Sequence, residues 1–265
     1  MKIVNKTYNL KKGLNKNIVL ISDIHYYEKK QIKHFNNILD NIKKINRDYI
    51  CISGDILDKA KVPNFNGFVN WLEKLANITK VIMVLGNHEY YINRRKDIYG
   101  LNEDYINKIK NIENLYLLDN NNLIIDNINF IGLTLPIAHY MFEKESEEDF
   151  RKYIKNIKSK EGYYNMLLCH SPINIVKDDV IKNIEADLIL CGHTHGGVVP
   201  WFLRGIFGTS GIISPSKSLF PKKCYGRIKK DNKNIIITSG ITMLAPSHLK
   251  LVNKSLYSEV VKINL

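Results

Sequence analysis

Five short apolar runs, each broken off by a polar cluster, set the rhythm of this chain. Residues 17–22 carry Ile18, Val19, Leu20 and Ile21 in succession, a pattern that predicts a strand buried on both faces. From Glu28 to Asn46, Ile32, Phe35, Ile38, Leu39, Ile42 and Ile45 recur at three- and four-residue intervals. That period predicts an amphipathic helix with its lysines outward. A second buried strand is expected at 49–53, a second amphipathic helix through Phe68, Val69, Leu72 and Leu75, and a third buried strand at 81–85. The middle of the chain is less regular. It reads as a helix at 102–112, strands at 115–118, 123–125 and 128–135, an exposed glutamate-rich excursion over 136–148 and a helix at 149–157. Buried strands at 166–169 and 186–191 follow. Residues 198–224, rich in Gly, Pro and aromatics, read as a long loop, 227–229 and 234–238 as a hairpin, and 260–263 as a closing strand.

The polar clusters stand where the apolar runs stop. They are Asp23-Ile24-His25, Gly54-Asp55-Ile56-Leu57-Asp58, Gly86-Asn87-His88-Glu89, His170-Ser171-Pro172 and Gly192-His193-Thr194-His195-Gly196-Gly197. Thirty-two residues separate Asp23 from Asp55, and thirty-two separate Asp55 from Asn87, each close to one βαβ unit of roughly 30 residues. Open α/β sheets build their sites at the C-terminal ends of strands, where this arithmetic puts the clusters. Histidines two apart between glycines can turn both imidazoles toward one locus, as a pair of metal ligands would. Carboxylates and imidazoles converging on one place repel or desolvate badly unless a cation joins them. A metal is the economical explanation.

Composition narrows the setting. A chain of 265 residues, 45% of them hydrophobic, is long enough to bury a substantial core, and one domain spanning 1–265 is expected. No apolar stretch approaches the roughly 18 residues of a bilayer span, and the Lys/Asn-rich stretch 1–17 lacks the apolar core of an export signal. Cys51, Cys169, Cys191 and Cys224 are too scattered for a disulfide framework and contain no CxxC pair, so buried thiols in a reducing cytoplasm are expected. The net charge of +13 is spread along the predicted helices, which favours a solvated basic surface that attracts anionic substrates. No dense basic run with interleaved aromatics is present, so no stable nucleic-acid partner is expected.

The ordered series Asp-x-His, Gly-Asp-x-x-Asp, Gly-Asn-His-Glu, a single His and Gly-His-x-His, spanning residues 23 to 195, resembles the calcineurin-like metallophosphoesterase superfamily. The Gly-His-Thr-His-Gly-Gly ending is similar to the bacterial YkuE-like and YaeI-like branch. The resemblance implies an α/β fold, a four-layer sandwich of two mixed β-sheets flanked by helices with the metal site at strand C-terminal ends. It also implies two divalent ions, with Mn²⁺ favoured over Fe or Zn²⁺. Asp23, His25, Asp55 and His195 would hold one ion; Asp55, Asn87, His170 and His193 would hold the other. A hydroxide bridging the ions would attack phosphorus, and His88, oriented by Asp58, would serve the leaving oxygen.

Several residues carry competing readings. Asp58 could instead cap the following helix, Glu89 and Ser171 suit local turn hydrogen bonds, and His34 reads as a surface or boundary residue. His139 and His248 sit in loop-like contexts outside the core set. The stretch Pro200-Trp201-Phe202-Leu203-Arg204-Gly205-Ile206-Phe207, extended by Ile212, Ile213, Leu219 and Phe220 with Lys217, Lys222 and Lys223, is unusually apolar for a loop beside a polar site. It suits either a lid over the sheet edge or peripheral contact with an anionic membrane, at the inner face, through 200–223. The corresponding expectation is a phosphate-ester substrate that is lipid-linked or presented at a membrane surface. The alternatives are a soluble nucleotide or nucleic-acid phosphodiesterase and a non-catalytic metal-binding scaffold.

Overall fold

The computed structural model describes residues 2–26, 32–57, 65–89, 103–136, 139–140, 147–155, 157–215, 218–241 and 255–265. The first sheet holds β1 (Lys2–Asn9), β2 (Asn17–Ile21), β3 (Tyr49–Ser53), β4 (Lys80–Val84), β5 (Leu115–Leu117) and β12 (Tyr257–Asn264), in the order β1-β12-β2-β3-β4-β5. The second holds β6 (Asn122–Ile125), β7 (Ile128–Leu133), β8 (Tyr164–Cys169), β9 (Leu188–Cys191), β10 (Gly226–Lys230) and β11 (Lys233–Ile237), in the order β10-β11-β9-β8-β7-β6. Strands β2 to β5 run parallel in one, and β7, β8, β9 and β11 run parallel in the other. Antiparallel pairs, β12 with β2, β6 with β7 and β10 with β11, make both sheets mixed.

Side-chain parity along the strands separates the layers, because successive residues face opposite sides of a sheet. Val19, Ile21, Ile50, Ile52, Val81 and Met83 pack with Phe35, Ile38 and Ile42 of helix α1 (Ile32–Lys44), Phe68, Leu72 and Leu75 of α2 (Phe65–Ala76), and Ile109 of α3 (Glu103–Lys110). Their neighbours Ile18, Leu20, Tyr49, Cys51, Ile82 and Val84 join Phe130, Met166, Leu168, Leu188, Leu190 and Ile236 in a core between the sheets. The outer face of the second sheet, through Ile131, Leu133, Leu167, Ile189 and Ile235, packs with Phe150 and Ile154 of α4 (Glu147–Ile154) and Val180 and Ile181 of α5 (Asp178–Ile181). The result is the helix–sheet–sheet–helix sandwich expected above. Uniformly apolar strands are explained by it, since every central strand is covered on both faces.

Two elements differ from the sequence reading. The N-terminal stretch forms edge strand β1, paired in parallel with β12 from Lys2↔Tyr257 to Asn9↔Asn264. Its alternating exposed and half-buried residues carry too little hydrophobicity to announce a strand alone. The long loop 198–224 contains the short helix α6 (Arg204–Phe207) and an isolated bridge, Ile213↔Leu219. All four cysteines are free and buried, and burial pushes the Cys169 thiol up to about 12 and the Cys224 thiol to about 11.

Candidate metal centre

Parallel strands deliver their ends to one edge of the sandwich, and there the two sheets meet. In the first sheet the chain leaving β2 continues alongside that leaving β3, with Asp23 N–H donating to Gly54 O (3.0 Å), His25 N–H to Asp55 O (3.1 Å) and Tyr26 N–H to Ile56 O (2.7 Å). Contacts then cross between sheets: His193 N–H donates to Asp23 Oδ2 at 3.0 Å, and His170 Nδ1 lies 2.6 Å from Ser53 O. Gly192 is required at this junction. A Cβ there would lie 1.9 Å from Ser22 Oγ and 2.5 Å from Asp23 Oδ2.

The backbone is bent hard to achieve this. Asp23, His25, Asp55, His193 and His195 all take left-handed φ, between 46° and 67°. Each such non-glycine residue costs about 1 kcal/mol or more, an expense that clusters at functional sites. The kinks let residues one or two apart present their side chains to a common centre.

Ligand atoms gather there in three overlapping groups, each within 4.8 Å: Asp23, His25 and His195; His25, Asp55 and His88; and Asp55, His170 and His193. His195 Nε2 is 3.8 Å and His25 Nε2 4.0 Å from Asp23 Oδ1, while His170 Nε2 is 3.1 Å from Asp55 Oδ2. Buried Asp23 Oδ1, His25 Nε2, Asn87 Oδ1 and His193 Nε2 have no hydrogen-bond partner among the described residues, and His170 Nε2 faces the Asp55 carboxylate. Orphaned buried polar atoms of this kind cost about 1–3 kcal/mol each unless something satisfies them. The carboxylate and imidazole atoms among them belong to the groups above, and such a donor set, with the Asn87 amide oxygen in the loop that follows β4, fits divalent ions.

The electrostatics follow from crowding. Burial holds the His25 and His193 imidazoles well below their usual value, and neighbouring imidazoles reinforce it, so both are neutral and able to donate a lone pair. For His170 burial is the largest influence and pulls down, but the Asp55 and Asp23 carboxylates with the Asp55 and Ser53 hydrogen bonds outweigh it, raising it to about 9. The Ser53 carbonyl accepts a hydrogen bond from Nδ1–H and leaves Nε2 toward Asp55, the arrangement by which outer partners orient a ligating imidazole. Burial also opposes ionisation of Asp55, yet His170 and His88 hold it well below the carboxylate range.

Glu89 does not face the centre. Its carboxylate accepts from Asp55 N–H (3.1 Å), Ile56 N–H (2.7 Å), Leu57 N–H (3.0 Å) and Gly86 N–H (2.7 Å), tying the β3 and β4 loops together. Burial and the Asp55 charge raise it to about 7. Ser171 Oγ accepts from Ile173 N–H at 3.4 Å, the local turn contact expected for it. His34 is half-buried and bonded to Ser258 Oγ at 2.9 Å. His139, buried, contacts Asn174. Asp58 and His248 lie outside the described residues.

The profile of the family described as calcineurin-like phosphoesterase matches residues 16–197. The chain belongs to the calcineurin-like phosphoesterase family. Three relatives illustrate its range. The uncharacterized metallophosphoesterase YkoQ of Bacillus subtilis is 30% identical over 166 residues, 58% of this chain and 52% of that protein. An uncharacterized metallophosphoesterase of Aquifex aeolicus is 29% identical over 232 residues, 83% of this chain and 81% of its own length. The UDP-2,3-diacylglucosamine pyrophosphatase LpxG of Chlamydia muridarum is 22% identical over 226 residues, 69% of this chain and 65% of that one. Against several of its curated relatives, this family member spans about half their length.

Further residues build the centre, some of them beyond Gly197, where the matched segment ends. From the chain after β11, Ile241 N–H donates to Ser22 O (2.9 Å) behind the Ser22–Asp23 turn, and Gly240 lies so close that an added Cβ would be 2.7 Å from Asp23 Cβ. Tyr140 packs its ring 5.7 Å from that of His170 and 5.6 Å from that of His193, walling the second ligand group. None of these is legible as a site residue in the sequence.

Proposed function

We propose that this chain is a dinuclear metal-dependent phosphoester hydrolase, with Asp23, His25, Asp55 and His195 holding one ion and Asp55, Asn87, His170 and His193 the other. The observation that carries it is the pair of ligand groups, Asp23/His25/His195 and Asp55/His170/His193, assembled side by side from both sheets. His193 and His195 thus fall into different groups although only Thr194 separates them. Two bound ions would supply positive charge to the phosphoryl oxygens and acidify water at neutral pH. The mixed imidazole, carboxylate and amide donors support Mn²⁺, with Fe and Zn²⁺ as the ions the same donors also accept.

The protein's own part is positioning and proton transfer. His88 and His195 are the more open imidazoles, each with 15% of its side chain exposed, where Asp23 and His170 are fully buried. His88 therefore stands on the solvent side of Asp55, with Nε2 3.8 Å from Asp55 Oδ2, placed to donate a proton to a departing ester oxygen. Asp58 is assigned to orient that ring. Asp55→Ala or His193→Ala should abolish Mn²⁺-dependent hydrolysis of bis-p-nitrophenyl phosphate while far-ultraviolet circular dichroism stays native. Wild-type turnover by either purified variant would refute the assignment, and no turnover by the wild type on mono- or diesters would favour a binding scaffold.

The substrate reading rests on the chain that leaves His195. Seven large hydrophobic residues are exposed among the described residues, and five of them, Trp201, Phe202, Ile206, Leu219 and Phe220, follow the ligand turn. Ile206, at 81%, is the most exposed of these and supports a contact made outward from the loop. Lys2 Nζ sits 5.6 Å from the centre of the Trp201 ring and Lys222 is exposed nearby in sequence, so aromatic and basic groups alternate as at a headgroup boundary. A lipid-linked or membrane-presented phosphate is the class these features support, and the diacylated compound in the name of the Chlamydia relative is consistent with it. Among the described residues no helix is long and apolar enough to cross a membrane, so the contact would be peripheral. Four free thiols support the cytoplasmic face. Co-sedimentation with vesicles of phosphatidylcholine and phosphatidylglycerol should occur at low salt and weaken in a Trp201→Ser/Phe202→Ser variant. Equal recovery of both proteins, or none of the wild type, would direct attention to soluble nucleotides and nucleic-acid diesters instead.

A further inference from the structure

A buried carboxylate outside the ligand set is wired to the backs of two ligands at once. Glu259, on β12, is 1% exposed. Burying a charge there is costly without partners, and it has three: Tyr225 O–H donates to Oε1 (2.5 Å), while Thr238 Oγ1–H and Ser239 N–H donate to Oε2 (2.9 Å each). Glu259 N–H also donates to Gly240 O at 3.0 Å. In one direction these bonds set the segment behind Asp23. Gly240, at φ 84°, lies so close that an added Cβ would be 2.7 Å from Asp23 Cβ, and the next residue, Ile241, donates to Ser22 O.

In the other direction the path runs through Tyr225 to the turn carrying His195. The Arg204 guanidinium lies 4.1 Å from the centre of the Tyr225 ring. It donates through Nη2 to Gly196 O and through Nη1 to Gly208 O (3.3 Å) and Ser210 O (3.0 Å). Gly196 directly follows His195, and an added Cβ there would meet Ser239 Cβ at 2.8 Å, Arg204 Nη2 at 3.2 Å and Tyr225 Cδ2 at 3.3 Å. The same side chains therefore enclose the His195 turn and, through Glu259, the support of Asp23. The other ligand group is held from elsewhere: His170 by Ser53 O, and Asp55 by Glu89 through its own N–H.

We propose that Glu259, Tyr225 and Arg204 form a buttress of positioning residues that serves the Asp23/His25/His195 ion site selectively and leaves the Asp55/His170/His193 site to other supports. This rests on the two-ion reading above. An outer-shell partner of a metal ligand is worth about 10- to 100-fold in metal affinity, so Tyr225→Phe, which removes only the hydroxyl, and Arg204→Lys, which keeps the charge but loses the fork and the stack, should each weaken one ion by about that factor.

Chelator-stripped protein titrated with Mn²⁺ in a calorimeter, with electron paramagnetic resonance at one and two equivalents, provides readouts independent of turnover. The wild type should take up two ions and give a spin-coupled signal at two equivalents. Both variants should retain one ion within about threefold of its wild-type affinity and show isolated Mn²⁺ in place of the coupled pair; combined with His193→Ala, which leaves the Asp23/His25/His195 site, each should weaken the remaining ion by about 10- to 100-fold, and combined with His195→Ala, which leaves the other site, each should change it by less than about threefold. Retention of the first ion reports that the variants are folded. Equal weakening of both ions, or of neither, in variants of a two-ion wild type overturns the buttress alone. A wild type that binds a single ion overturns the two-ion reading and the buttress with it.

Discussion

Gly192→Ala tests the junction of the two sheets with a single methyl group. Gly192 is absent from the positions with left-handed φ, so alanine suits its backbone and the perturbation is one of space alone. The new Cβ would stand 1.9 Å from Ser22 Oγ, 2.7 Å from Ser22 Cβ and 2.5 Å from Asp23 Oδ2. Restoring ordinary contact requires the β2 and β9 ends to part by about 1.5 Å, because carbon and oxygen settle near 3.4 Å or beyond. Overpacking of this kind costs about 1–3 kcal/mol. Parting also breaks the His193 N–H bond to the Asp23 carboxylate, now 3.0 Å, a charged hydrogen bond worth about 1.5–3 kcal/mol. The loss in urea denaturation of stripped protein should therefore be about 3–5 kcal/mol, with weakened uptake of both ions. Ser22→Gly removes two of the three obstructing atoms, so the double variant should recover part of the loss in a double-mutant cycle. Gly192→Ala protein within about 0.5 kcal/mol of wild type, the ordinary scatter of inconsequential substitutions, would show that the sheets do not meet here as described.

Two further outcomes probe the site's charges and the core that carries it. In stripped protein, His25 and His193 have folded values below the unfolded one of about 6.5, so the unfolded chain binds more protons and stability falls as pH drops below that point. His170, raised to about 9, contributes stability present in full below about 6.5 and lost as pH rises through 9. Thermal midpoints should peak near neutrality and decline on both sides, and a steady rise from pH 6 to 9 would refute the His170–Asp55 pairing. With Mn²⁺ bound, the alkaline decline should shrink, since a ligating His170 nitrogen carries no proton to lose. Phe130, fully buried between the sheets with its ring 5.1 Å from that of Tyr49, should cost about 3–5 kcal/mol on change to alanine. A loss below about 1 kcal/mol in chemical denaturation would mean that the intersheet core is not packed through that ring.

Much of the site is legible in the order of residues, for a physical reason. Metal chemistry restricts residue types severely, and strands buried on both faces leave uninterrupted apolar runs, so Asp23, Asp55, Asn87, His170 and the His193/His195 pair stand out as polar clusters at strand ends. The assignment of His193 and His195 to different ions is what the resemblance implies; in the fold His193 groups with Asp55 and His170, and His195 with Asp23 and His25. Glu89 is ambiguous in the sequence because a carboxylate beside a ligand could face either way; its four backbone partners lie across two loops, 32 to 34 residues apart for three of them. The edge strand β1 gives no such signal because pairing with β12, more than 240 residues later, stabilises it, whereas its own lysines and asparagines do not.

The alternation of strand and helix, the donor types and their order are properties of the chain as written, since local periodicity and ligand chemistry need only near neighbours to be read. Which atoms meet is a property of the closed fold. To it belong the parity that sends Leu20 inward and Ile21 outward, the left-handed kinks at five candidate ligands, and the link from Glu259 through Tyr225 and Arg204 to the His195 turn. Such contacts join residues tens to hundreds of positions apart. Their energies depend on burial and on distances of a few ångströms, quantities that exist only once both sheets have closed on one another.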